Sequence, residues 1–147
     1  MILVSACLVG MRCRYDGRHS LSSDLVRLLA DEPWIAVCPE QLGGLSTPRI
    51  PAKLTGGDGA DVLAGRARVI TVQGCDVTEA YVRGAEIVLE VALRMSAKRV
   101  FLKDRSPSCG LDPTLDEKGA LRGQGVCAAL LRQSGFNLFE VKARALS

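Results

Sequence analysis

Ile2-Leu3-Val4-Ser5-Ala6-Cys7 opens the chain as a short apolar run that closes on a thiol. A run this short, apolar without strict alternation and ended by a polar loop, predicts a strand buried on both faces. Downstream, Ser22-Ser23-Asp24 offers N-cap chemistry, and Leu25, Leu28 and Leu29 follow at helical spacing. A short helix is expected to about Asp31, where Pro33 stops it. Trp34-Ile35-Ala36-Val37 then forms a second strand, again closed by a cysteine, Cys38. Strand, helix, strand in this order makes a βαβ unit. Its strands run parallel with a right-handed crossover.

Working outward, the loop from Gly10 to His19 is too polar and glycine-rich for a core element. From Pro39 to Gly59 the chain carries three prolines and five glycines with no periodicity. A long ordered loop at a strand end is expected to serve the active site. Val62-Leu63 and Ala67–Val72 read as short strands broken at Gly65, a small β excursion or hairpin. Asp76 is a candidate N-cap, with Glu79 placed three residues on as its capping-box partner. Val77, Tyr81, Ala85, Val88, Ala92 and Met95 recur at helical intervals, predicting a long helix to about Ala97. Arg99–Lys103 is the third core strand, and Cys109 follows it across a Ser/Pro loop. A helix over residues 125–133 ends at Gly135, and residues 137–141 supply a last strand. The fold class is therefore α/β: one domain over residues 1–147, with a mainly parallel sheet flanked by helices.

Composition narrows the function. A chain of 147 residues with 48% hydrophobic content can bury one sizeable core. A net charge of +3 is mild and does not match the basic stripe of a dedicated nucleic-acid binder. No basic region precedes the first apolar run, and no apolar segment reaches the roughly 20 residues of a membrane helix. A cytoplasmic location with no membrane partner is expected. There thiols stay reduced, so the six cysteines point to metal, catalysis or burial rather than disulfides.

In an open α/β sheet the carboxyl ends of the strands face a common crevice, where ligands bind. Cys7, Cys38 and Cys109 all lie at or just beyond such ends. Topology therefore allows three distant thiols to share one metal centre at the C-terminal strand edge, although none belongs to a Cys-x-x-Cys pair. Cys127 sits among Val126, Ala128, Ala129 and Leu131 and reads as a small buried hydrophobe. Cys75 precedes the Asp76 cap, where a helix N-terminus lowers a thiol pKa, but structural placement is the simpler reading. Cys13 fits no standard zinc or ferredoxin spacing. With His19 as the single histidine, a His-based triad or a His-rich zinc site is excluded.

Polar groups accompany two of these cysteines. Cys38-Pro39-Glu40 sets a carboxylate two residues beyond a thiol. Lys103-Asp104-Arg105-Ser106-Pro107-Ser108-Cys109 sets two hydroxyls and a lysine before another. Two readings stand for Glu40, a solvated loop residue or a general acid–base beside a metal, and two for the serines, turn caps or ligand donors. Arg49 is by default a surface arginine, or else a partner for an anionic ligand. Gly123-Gln124-Gly125 matches no phosphate-binding motif, although it opens a helix whose N-terminus can hold an anion.

At these residues the chain resembles a known family. The segments are Val4–Gly10 with Cys13-Arg14-Tyr15-Asp16-Gly17; Cys38-Pro39-Glu40 with Gly43–Arg49; Gly74 and Asp76-Val77-Thr78 with Gly84-Ala85; and Leu102–Gly110. In this order they are similar to the motifs of the thiouracil desulfidases, a family long labelled only as a domain of unknown function. The resemblance covers essentially the whole chain. It implies a [4Fe-4S] cluster held by Cys7, Cys38 and Cys109, with a fourth iron open to a substrate's sulfur. It also implies non-redox removal of sulfur from a small-molecule thiolated pyrimidine, leaving the oxo base and hydrosulfide. Glu40 and Ser106, with Ser108 second, are the implied catalytic partners, and Lys103 and Arg49 the implied substrate-binding cations. One departure stands out. Leu115-Asp116-Glu117-Lys118-Gly119-Ala120-Leu121 replaces an expected Tyr-Asp-Gly-type turn, which bears on substrate identity. The rival expectations are another iron–sulfur enzyme or electron carrier with Cys13 or Cys75 as fourth ligand, a structural zinc module, and action on thiolated RNA. No stable nucleic-acid partner is expected.

Overall fold

A computed structural model describes residues 1–111, 114–115 and 121–142. Most of the divergent loop at residues 115–121 lies outside the described residues. In chain order the elements are β1 (Ile2–Ser5), a 3-10 turn (Ala6–Val9), α1 (Ser23–Leu28), a 3-10 turn (Leu29–Asp31), β2 (Trp34–Val37), α2 (Pro39–Leu42), β3 (Ala52–Thr55) and α3 (Gly59–Leu63). Then come β4 (Arg68–Thr71), α4 (Thr78–Arg94), β5 (Arg99–Lys103), β6 (Thr114–Leu115), β7 (Leu121–Arg122), α5 (Val126–Gln133) and β8 (Leu138–Val141).

The central sheet has four strands, all parallel, in the order β2-β1-β5-β8. Every residue of β1 is buried, as its unbroken apolar run requires of a central parallel strand. Leu3, Val100 and Leu102 turn to one face, where they pack with Tyr81, Ala85, Val88 and Ala92 of α4 and with Val126, Cys127 and Leu131 of α5. Ile2 and Val4 turn to the other face and meet Leu25 and Leu29. Ser22 caps α1 as expected, its hydroxyl accepting from the Leu25 N–H at 3.2 Å. Among the described residues no helix is long and apolar enough to cross a membrane.

Three local expectations are corrected. Residues 62–63 belong to a helix, α3, rather than a strand. Asp58 and Asp61 close a reciprocal capping box at its start, and that local chemistry outweighs the β-propensity of Val62. The strand Arg68–Thr71 is present, but its antiparallel partner is Ala52–Thr55, a strand hidden inside what read as an unbroken loop. At α4, Asp76 accepts from the Thr78 N–H at 2.9 Å and forms no capping box with Glu79.

Two close approaches position the site. A Cβ on Gly84 of α4 would strike the Pro39 carbonyl of α2, and one on Gly43 would strike the Ala80 carbonyl. The two helices therefore meet backbone to backbone, which only glycine permits. Gly125 stands equally close to the Ser108 backbone.

Candidate active site

Because β2, β1 and β5 are consecutive in the sheet, their carboxyl ends are neighbours. Cys7 sits in the 3-10 turn that ends β1, a turn closed by Gly10 in the left-handed region at φ 96°. Cys38 occupies the N-cap of α2, with Pro39 in the first turn where its missing N–H costs nothing. Cys109 lies in the loop after β5, its N–H held by the Ser106 hydroxyl at 3.0 Å. All three, together with Cys13, line a cavity of about 210 Å³. That is several times the ~30 Å³ share of one water in the liquid. Among the described residues no three His, Cys, Asp or Glu side chains close on a single ion.

Thiol–thiol contact and burial together raise three of these thiols. Cys109 is pushed up to about 11 by desolvation, which the Ser5 hydroxyl only partly opposes. Cys38 is raised by its contact with the Cys13 thiol and by burial. It donates to the Cys13 carbonyl at 3.8 Å. Cys13 is pushed up to about 12: the Cys38 thiol pulls it down, but contact with the Cys7 thiol and burial act more strongly the other way. Cys13, Cys38 and Cys109 therefore hold their protons in the absence of a metal centre, which must displace the proton of any thiol it binds.

Glu40, on the first turn of α2, reaches the same cavity and is 14% exposed. Its Oε1 accepts from the Tyr81 hydroxyl at 2.8 Å and from Arg49 Nε at 3.1 Å. Its Oε2 accepts from the Ser108 hydroxyl at 2.8 Å. Ser106 Oγ lies 3.1 Å from Ser108 Oγ and accepts the N–H groups of Ser108 and Cys109. With both lone pairs of Ser106 taken and the Ser108 proton on Glu40, the remaining orientation is fixed. Ser106 donates to Ser108, which donates to Glu40. Of the two serines, Ser108 makes the direct contact.

Arg49 is not a surface residue. Its side chain is 7% exposed. Beyond Glu40 it donates to Ser46 O, Thr47 Oγ1 and Cys13 O, the last at 2.8 Å. It thus ties the Glu40 carboxylate to the Cys13 loop while still lining the cavity. Lys103 lines the cavity too, its ammonium 2.9 Å from the Asp104 carbonyl and 3.6 Å from its carboxylate. Cys75 is exposed and apart from the cavity, and Cys127 is buried in the core. The N-terminus of α5 is no anion site. Gly125, Val126 and Ala128 spend their N–H groups on the carbonyls of Gly110, Pro107 and Ser108, so the helix instead anchors the loop that bears Cys109. Sequence reasoning missed Tyr81 as a site residue, because helical spacing accounts for its ring and gives no sign of its hydroxyl's partner. It also missed Ser5, which accepts the Lys103 N–H at 3.0 Å and meets Cys109.

The chain is similar to known proteins along nearly its whole length. The chain is 46% identical over 142 residues to the uncharacterized protein YbbK of Bacillus subtilis (strain 168), across 94% of this chain and 93% of that protein. It superposes on the [4Fe-4S]-dependent thiouracil desulfidase TudS with a TM-score of 0.79 and 39% identity, covering 95% of this chain and 89% of that one. Residues 2–143 match the 2-thiouracil desulfurase family, and the chain belongs to that family.

Proposed function

We propose that the whole chain, residues 1–147, is a [4Fe-4S]-dependent desulfidase acting in the cytoplasm on a small thiolated base, 2-thiouracil or a close relative. The reaction exchanges the thiocarbonyl sulfur for a water oxygen, giving the oxo base and hydrosulfide with no net electron transfer. The observation that carries this reading is the arrival of Cys7, Cys38 and Cys109 from three adjacent strand ends at one cavity that also holds the Glu40–Ser108 pair. The likeness to TudS supports it.

The residues present fit such a group. Thiols are the ligands that iron–sulfur clusters take, and the cavity offers no histidine that would favour a mononuclear zinc site. Cys7, Cys38 and Cys109 would hold the cluster, which when bound supplies a thiophilic Lewis acid able to draw electron density from a thiocarbonyl. The remaining work falls to the protein. Glu40 takes a proton from the attacking water and returns one to the ring nitrogen. Once Glu40 Oε2 has taken the water's proton it no longer needs the Ser108 hydroxyl as donor, and Ser108 is released to donate where negative charge develops, with Ser106 donating behind it. Lys103 offers a cation from the cavity wall, and Arg49, with four of its five N–H groups on protein acceptors, offers the remaining one. A cavity of about 210 Å³ suits a free base rather than a folded RNA.

The test is anaerobic reconstitution followed by incubation with 2-thiouracil. The reading expects a brown protein that absorbs near 400 nm and releases hydrosulfide and uracil in equal amounts. A colourless zinc protein, or a loaded cluster that yields no hydrosulfide, contradicts it.

A further inference from the structure

We infer that Tyr81 is a positioning residue for Glu40, committing Oε1 to the protein so that Oε2, beside Ser108, is the oxygen that exchanges protons. The inference rests on the proposed desulfidase reading and adds a residue to it.

Tyr81 sits on the apolar face of α4 and is 2% exposed. Its ring packs with Val69, Ala85 and Val88 in the main core, a place that phenylalanine would fill equally well. Its hydroxyl is different. A buried phenol needs a partner, and this one donates to Glu40 Oε1 at 2.8 Å. Arg49 Nε approaches the same oxygen at 3.1 Å. A carboxylate oxygen has two lone pairs, so Oε1 is saturated by these donors. Among the described residues Oε2 accepts only from Ser108, which leaves it one lone pair for a proton. The two oxygens of one carboxylate are thus made unequal.

The two holders differ in what carries them. Arg49 lies on the loop after Ser46, whose conformation it helps to fix. Tyr81 projects from a 17-residue helix whose distance from α2 is set by the Gly43 and Gly84 backbone contact. The helix therefore supplies the fixed reference, and the Tyr81 hydroxyl transmits it to Glu40. Positioned groups of this kind act on the rate of the chemical step rather than on substrate binding.

Holoenzymes of Tyr81→Phe and Tyr81→Leu test this against wild type, with kcat and KM measured on 2-thiouracil and iron counted in the same samples. Loss of one charge-assisted hydrogen bond is expected to lower kcat by about tenfold in Tyr81→Phe, with KM within about twofold and iron per chain unchanged. Tyr81→Leu is expected to be no more active than Tyr81→Phe. Wild-type kcat in Tyr81→Phe with a loss only in Tyr81→Leu would assign Tyr81 to packing and overturn the inference alone. So would a kcat that falls only in step with iron content. A fully loaded wild type that releases no hydrosulfide overturns the desulfidase reading itself, and this inference with it.

Discussion

Glu40 accepts from Tyr81, Arg49 and Ser108, and its two serine neighbours form a one-way hydroxyl chain toward it. Replacing Glu40 by Gln keeps the shape and removes the base. Holoenzyme kcat is expected to fall about 100-fold or more, with iron content unchanged. The chain also ranks the serines. Ser108→Ala removes the direct donor, whereas Ser106→Ala leaves the Ser108–Glu40 bond in place, so kcat should suffer more in Ser108→Ala. Equal losses would mean that the direct contact carries no special weight. Little of this arrangement was legible in the sequence. The cysteine-to-carboxylate spacing brought Glu40 forward, but the Tyr81 contact joins residues 41 apart along the chain, and no periodicity encodes it. Arg49 looked like a surface cation. Its four acceptors, the Glu40 carboxylate among them, explain why it is enclosed.

Among the elements, α2 and α4 are joined by a contact that tolerates no side chain. Gly84→Ala puts a methyl where the Pro39 carbonyl stands. Overpacking of this kind costs about 1–3 kcal/mol, so the denaturant midpoint should fall. Because α2 carries both Cys38 and Glu40, activity should fall with it. The start of α4 makes a separate statement about pH. The Asp76 carboxyl is held down to about 2, chiefly by the Thr78 hydroxyl and N–H and then by Arg68. Its folded pKa lies below the ordinary Asp value of about 3.9. The stabilisation is therefore present above that value and disappears as pH falls through about 2. An NMR titration of Asp76 should place its midpoint near 2, and a midpoint near the ordinary value would contradict these contacts. The strands were legible because a parallel sheet writes itself as apolar runs; the main helix was legible through its 3.6-residue period. α3 was not, since Val62-Leu63 looks strand-like and the decisive Asp58–Asp61 pair acts through backbone bonds rather than periodicity. Thr55 likewise gave no hint that β3 pairs across α3 to Arg68.

In the molecule as a whole, strand order is what turns sequence into a site. The sheet places β1 between β2 and β5, so Cys7, Cys38 and Cys109 converge although they are far apart along the chain. That convergence was readable from three strand ends alone. The closeness of Cys13 to Cys7 and Cys38 was not, because the loop that brings it back is fixed by Arg49 and by the Ser20 N–H on the Cys7 carbonyl. Exposure separates the other thiols. In native protein Cys75 should react at once with a thiol reagent, whereas Cys127, buried and with its pKa pushed up by desolvation, should react only on unfolding. Mass spectrometry of the labelled chain reads both. The central claim is tested most directly by counting iron and sulfide per chain after anaerobic reconstitution of wild type, Cys7→Ser, Cys38→Ser, Cys109→Ser and Cys13→Ser. Three ligands and an open corner require about four of each in wild type, nearly as much in Cys13→Ser, and a collapse in each of the other three. Retention of the cluster in any of those three, or its full loss in Cys13→Ser, would contradict the account.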